Sequence, residues 1–404
     1  MAEIHPFAAL RPTPATVARV AAVPYDVVNS DEARALAGDD PLSFLRVSRP
    51  EIECPPGTPI YSDEVYLRAS DNFDRLRRAA PLVIEDTPSL YIYQLHMAGH
   101  VQTGVAACYS VDEYARDVIK KHEKTRPDKE DDRTRHILTL RAQTGPVFLT
   151  YRASAAVDGV VTAAVAGALL FDFTAADGVR HVVWRVPDSQ VAPLVAAFAA
   201  VPALYIADGH HRAASAWRTH EQLAAEGPGE HERFLAVAFP DAQMQVLPYN
   251  RVVRDLHGMS AEAFTAALAA RATVTPGGPA TPARRGQVAM YLEGRWSTVD
   301  FGAPPAGLAA DAALDVSRLQ DMVLGPVLGI ADVRTDKRID FVGGIRGTAE
   351  LERLVDSGTF AVAFSLMPVS VDDLMRIADA GGIMPPKSTW FEPKLRDGVL
   401  SHLV

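Results

Sequence analysis

The sequence predicts an α+β protein with mixed sheets, and three observations predict it. Strand-like runs fall in neighbouring pairs, at residues 90–95 with 103–109, 234–239 with 245–247, and 287–292 with 296–301. Helix-patterned stretches lie between them, as at 62–79, where Val65, Ala69, Phe73 and Leu76 share one face. At 404 residues the chain is long for a single core, so two or three packed units are expected.

Taken in order, the opening stretch Pro6-Phe7-Ala8-Ala9-Leu10-Arg11-Pro12 is irregular and stiffened by proline. A strand is expected before Pro24-Tyr25-Asp26-Val27-Val28, and Asn29-Ser30-Asp31-Glu32 then supplies an N-cap and first-turn acids for a short helix over 33–37. Residues 43–47 read as a strand, and 54–59 as a Pro/Gly loop before the 62–79 helix. The pair 90–95 and 103–109 turns at Ala98-Gly99-His100. Pro127 cannot lie deep in a helix, so His122 to Arg126 forms a loop and a helix begins near Asp128. Residues 145–151 read as a core strand, 155–170 as an Ala/Val-rich helix, 179–186 as a strand and 189–199 as a helix. An apolar run ending in Leu204-Tyr205-Ile206 follows, then a polar turn and an Ala-rich helix. From Ala261 the character changes to a helix, a turn-rich stretch at 275–285 and two strands. The expected division is an N-terminal mixed α/β unit over 1–112, a central unit over 113–257 that carries the chemistry, and a smaller C-terminal α/β unit over 258–404 with a closing tail.

Composition narrows the function. Hydrophobic residues make up 48% of the chain, and the net charge of −10 is interspersed, which argues against a general nucleic-acid surface. Two cysteines, Cys54 and Cys108, fit neither a zinc spacing nor a redox pair and read as thiols of a reducing compartment. No apolar run reaches the roughly 20 residues needed to span a bilayer, and Met1 to Leu10 lacks a basic region followed by an apolar core. A cytoplasmic protein with small-molecule partners, and no membrane partner, is expected.

The residues that carry chemistry concentrate at Asp208-Gly209-His210-His211-Arg212. Gly209 lets the backbone approach a ligand, the first N–H groups of the new helix point outward, and Arg212 adds a fork of donors suited to phosphate. Asp208 supplies a carboxylate for a divalent metal or for orienting an imidazole. The plainer alternative is helix capping, with Asp208 as N-cap and both histidines solvated. The charged stretch from Lys120 to His136 places His122 and Glu123 on an ordered loop beside a helix start, where catalytic side chains are often held; a solvated helix face is its alternative. Gly343-Gly344-Ile345-Arg346-Gly347 resembles a phosphate cradle without the spacing of a P-loop, so capping or a tight crossing competes. The tail from Met384 to Lys394 reads as a cover over a ligand or a clamp on the C-terminus.

Five stretches, Pro24-Tyr25-Asp26-Val27-Val28, Ser43-Phe44-Leu45-Arg46-Val47, Lys121-His122-Glu123-Lys124-Thr125-Arg126, Ala207-Asp208-Gly209-His210-His211-Arg212 and Met384-Pro385-Pro386-Lys387-Ser388-Thr389-Trp390-Phe391, together resemble a bacterial and archaeal domain-of-unknown-function family (DUF ten-fifteen). More distantly, the turn is similar to the Gly-x-x-Arg phosphate turn of the ParB/sulfiredoxin superfamily, with histidines in place of the sulfiredoxin cysteine. The similar Asp-Gly-x-His-Arg turn of free-serine kinases, with an upstream glutamate base, implies a phosphotransferase that uses ATP or ADP with Mg²⁺ on a hydroxyl-bearing metabolite. Under that resemblance Gly209 and His210 hold phosphate with Lys121 and Arg126, Arg212 offsets transferred charge, and Asp208 carries the metal. Glu123 or His122 takes the hydroxyl proton, and His211 completes the catalytic set. The competing expectations are a non-catalytic nucleotide-binding regulatory module, a phosphatase, and a metal hydrolase that adds His181.

Overall fold

The computed structural model describes residues 2–80 and 82–404. It contains two compact units: one takes residues 1–244 and 393–404, the other 245–392. The cuts expected at 112 and 257 do not fall there. Strand His100–Ser110 lies between Tyr91–Met97 and Arg233–Pro240, so the expected N-terminal and central units share one sheet. Tyr249–Val253 is an interior strand of the other unit's sheet, which therefore starts before 257.

The first unit is organised by a nine-stranded mixed sheet. Its middle runs Leu204–Asp208, Val147–Tyr151, Arg233–Pro240, His100–Ser110 and Tyr91–Met97. Leu204–Asp208 runs antiparallel to Val147–Tyr151 and parallel to the short Ile119–Lys120, which brings the end of the 119–126 segment beside the central turn. A core formed by Leu149, Ile206, Leu194, Phe198, Ala213 and Ala216 joins the sheet to helices Asp188–Phe198 and His210–Leu223. A second core gathers Val20, Ala33, Leu45, Phe73, Leu76 and Leu140 among the N-terminal helices.

Local signals decide most elements. Asn29 caps helix Ser30–Ala37 through a reciprocal box with Glu32. Helix Asp63–Ala79 buries Val65, Ala69, Phe73 and Leu76. Ala98 and Gly99, both at positive φ (48° and 84°), close the hairpin between Tyr91–Met97 and His100–Ser110. Pro127 opens helix Pro127–Leu140 at its first position.

Four expectations change. Residues before Pro24 and at 43–47 are not strands: Val17–Val20 and Leu45–Ser48 are short helices, since a brief apolar run fits either period and packing decides. The expected helix at 155–170 stops at Ala164, and Ala168–Thr174 is a strand whose Phe171 and Phe173 alternate inward. Gln245–Leu247 pairs with Trp390–Glu392 instead of with Arg233–Pro240.

The second unit has a six-stranded antiparallel sheet in the order Thr273–Pro276, Arg295–Asp300, Gln287–Leu292, Val362–Ser365, Tyr249–Val253, Ile339–Gly343. The glycines that resembled a phosphate cradle serve a tight crossing here. A Cβ on Gly343 would lie 2.7 Å from the Trp390 ring, and one on Gly344 would lie 2.7 Å from Pro248. We expect Gly343→Ala to destabilise the protein by about 1–3 kcal/mol through overpacking and to leave phosphate-ligand affinity unchanged. Chemical denaturation and ligand titration of the variant check both parts; weakened phosphate binding at unchanged stability would restore the cradle.

Candidate functional site

The site grows from the end of strand Leu204–Asp208. Gly209 adopts the left-handed conformation (φ 93°, ψ 31°) and caps helix His210–Leu223, whose first intrahelical bond is Ala213 N–H to the Gly209 carbonyl. The N–H groups of His210, His211 and Arg212 thus precede the helical ladder, at the positive end of the helix dipole.

Arg212 does not face outward. Its side chain is 9% exposed and folds beneath the turn, so a Cβ on Gly209 would lie 2.9 Å from its Cζ. Nη1 donates to the Pro146 carbonyl, and Nη2 lies 3.8 Å from Asp26 Oδ2 and 3.7 Å from Asp208 Oδ2. Asp397 adds a third carboxylate to its field, and these anions hold the guanidinium charged despite burial. Gly145 permits that approach, because a Cβ there would lie 2.5 Å from Asp397 Oδ1.

Asp208 is likewise engaged. Its Oδ1 accepts the Gly209 N–H at 2.9 Å, and its Oδ2 accepts Lys394 Nζ at 2.9 Å. Lys394 and Arg212 depress its pKa well below the usual carboxylate range, against the upward push of burial. The donor set does not fit the expected metal: one carboxylate bonded to an ammonium and facing a guanidinium leaves a hard cation too few oxygens. Among the described residues no group of three or more His, Cys, Asp or Glu side chains is placed to hold a metal ion. The metal role of Asp208 is corrected accordingly. His181, invoked for a metal hydrolase, is buried elsewhere in the sheet, bonded to Tyr93 at 3.0 Å and stacked on Phe173.

The charged loop meets the turn. Glu123 Oε2 lies 3.9 Å from His210 Nδ1. The His122 N–H approaches His210 Nε2 at 3.5 Å, and the two rings meet edge to face at 4.5 Å. Burial holds His210 neutral, and the adjacent His122 ring adds to that effect. With Nε2 facing a donor, its proton belongs on Nδ1, toward Glu123. His122 is pushed down to about 4 by burial, and its Nδ1 has no hydrogen-bond partner. His211 accepts the Arg126 N–H at 3.1 Å and so ties loop to helix.

Two predicted residues are drawn elsewhere. Lys121 Nζ bonds the Tyr114 carbonyl and faces its ring, and the Arg126 guanidinium pairs with Asp128. Conversely, Asp26, Lys394 and Asp397 belong to the cluster and carried no predicted role. The first two stood inside or beside the quoted stretches at Pro24 and Met384. Asp397, whose carboxyl burial pushes up to about 7 against the pull of Arg212, had no local signal.

Two outcomes follow. Arg212→Ala should cost about 3–5 kcal/mol, because it removes the cation from the buried Asp397 and the partly buried Asp208; an unchanged denaturation midpoint would refute the buried pairing. Stability should also depend on pH. The unfolded chain binds protons at histidines below about pH 6.5, whereas burial excludes them from His122 and His136 until about 4 and from His181 and His210 until well below their usual range. Stability is therefore lost as pH falls through that window. Asp397 opposes this, since a carboxyl protonated up to about 7 in the fold withdraws stability as pH rises. Denaturation midpoints should rise from about pH 4.5 to 6.5, and Asp397→Asn should steepen the rise; a flat or falling profile would contradict these burials.

Among solved structures, a free serine kinase mutant in complex with AMP is similar at 15% identity, with a TM-score of 0.38 over 74% of this chain and 92% of that one. A conserved hypothetical protein from Pyrococcus furiosus matches at 16% identity and a TM-score of 0.37, over 74% and 95% of the two chains. SbnI with C-terminal truncation, from Staphylococcus aureus, matches at 13% identity and a TM-score of 0.40, over 74% and 87%. No curated protein matches. Residues 4–318, most of the chain, match the family described as "Protein of unknown function (DUF1015)", and the chain belongs to that family.

Proposed function

We propose that this protein transfers a phosphoryl group from a nucleotide, ATP or ADP, to a small hydroxyl-bearing metabolite, of which a free amino acid such as serine is one candidate. The observation that carries the reading is the meeting of Glu123 with His210 at the start of helix His210–Leu223, 3.9 Å apart although 87 positions separate them in sequence. A carboxylate placed beside the positive end of a helix gives one locus both a proton acceptor and an anion cradle.

The geometry supports the following roles. The outward N–H groups of the turn receive phosphate oxygens, with Lys394 beside them on Asp208. Glu123, 39% exposed, can reach a substrate hydroxyl. Neutral His210 turns Nδ1 toward the Glu123 carboxylate, 3.9 Å away, while the buried His122 backs that imidazole. Arg212 holds the turn from below and does not touch the transferred group. Any Mg²⁺ enters as part of the nucleotide substrate. Phosphoryl transfer depends chiefly on positioning and charge, which suits a site with few covalent participants.

Glu123→Gln keeps shape and removes the proton acceptor, so turnover should fall about 10²–10⁴-fold with nucleotide affinity retained. Incubation with labelled ATP or ADP, Mg²⁺ and a pool of hydroxyl metabolites, followed by mass spectrometry, checks this. Nucleotide-dependent stabilisation with no transfer on any pool would indicate the regulatory nucleotide-binding module instead, and turnover indifferent to Glu123→Gln would remove Glu123 as the base.

A further inference from the structure

The second unit contains a cavity of about 350 Å³, within the size range of small-ligand sites. One part of its wall is apolar, from Leu308, Leu314, Leu366, Pro368 and Val369. Arg251 lines the polar part, together with Arg285, Asp315, Asp373, Arg376 and Ser388. It stands on the interior strand Tyr249–Val253 and is 2% exposed.

Among the described residues, this arginine's partners are two carbonyls and a ring. Nη1 donates to the Tyr249 carbonyl, Nη2 donates to the Pro386 carbonyl at 3.2 Å, and the guanidinium lies 5.2 Å from the Phe341 ring centroid. Among the described residues no carboxylate pairs with it. The acids that share the cavity are committed. Asp373 is bonded by Arg285, Arg376 and Ser370, and Asp315 accepts the Gly286 N–H at 2.8 Å while burial favours its protonated form. Burial alone lowers the Arg251 pKa to about 9, with only Tyr249 opposing, as expected of a cation enclosed without an anion. A buried charge without a partner is costly, and two carbonyls satisfy only part of a five-donor fork.

We infer that this cavity binds a small organic oxyanion, with its carboxylate or phosphate head on the Arg251 guanidinium and a short apolar body along Leu314, Leu366 and Val369. The inference is argued from the second unit's own residues and does not rest on the function proposed for the Gly209 turn.

The test titrates the full-length protein by calorimetry with straight-chain carboxylates of about four to eight carbons, a size that suits such a cavity, with matched monoalkyl phosphates, primary alcohols and amines, and with inorganic phosphate alone. Saturable binding of the carboxylates or alkyl phosphates is expected, with no binding of alcohols or amines; whichever head binds tighter identifies the ligand class. Arg251→Met keeps much of the side-chain bulk, removes the charge and should weaken binding at least about tenfold. Ala313→Phe fills the cavity from a half-buried position and should abolish binding without touching the charge. Glu123→Gln should leave binding unchanged. Failure of every oxyanion to bind the wild type, or binding that survives Arg251→Met or Ala313→Phe, would reduce Arg251 to a clamp on two carbonyls. Should one variant fail to fold, the other decides by the same criterion.

Discussion

Arg212 under the Gly209 turn is the interaction on which the first unit's site depends. One buried guanidinium faces Asp26 from the N-terminal segment, Asp208 from the end of the central strand and Asp397 from the last segment, and it donates to Pro146 beside the neighbouring strand. Arg212 and Asp397 are buried and neither tolerates burial alone, so the segments that carry them are held in place by each other's charge. Lys394 adds a second cation from the same C-terminal stretch and closes on Asp208. The turn thereby becomes a fixed platform, and the helix start above it is directed outward with little freedom to fold back.

This placement separates support from chemistry. Positive charge that the motif offers to a ligand is held inside the protein at Arg212, whereas burial keeps His210 and His122, on the Glu123 side of the turn, neutral. A carboxylate that must accept a proton is helped by a neighbour that donates a hydrogen bond without carrying a full charge, since a nearby cation would lower its basicity. The buried imidazoles and the buried Asp397 are then consequences of one design, in which groups that titrate near neutrality in water are held away from it.

Much of this was legible in the chain, and the reasons differ by residue. The Gly209 turn, the Asn29 cap, the Ala98-Gly99 hairpin and the Pro127 helix start are written in local backbone chemistry, which sequence carries directly. The meeting of the His122-Glu123 loop with the turn was suggested by the concentration of ionisable groups in both stretches. Short apolar segments such as 43–47, expected as a strand, and 168–170, expected as the end of a helix, have a period that stays ambiguous until neighbours choose a face. The inward direction of Arg212, the occupation of Asp208 by Lys394 and the burial of Asp397 were not legible at all. Each depends on segments far apart in the chain, as Asp208 and Lys394 are at 186 positions, and no local pattern encodes whether a charged side chain meets water or another charge.

Arg212 and Asp397 form one buried charge system. A double-mutant cycle with Arg212→Met and Asp397→Asn, read by equilibrium denaturation at pH 8, tests it most directly. The predicted result is strong non-additivity: the double variant should lose about 1–3 kcal/mol less than the sum of the single losses, because each single change strands the other group. Additive losses would show that the two groups do not share a field, and the architecture described here for the turn would be wrong.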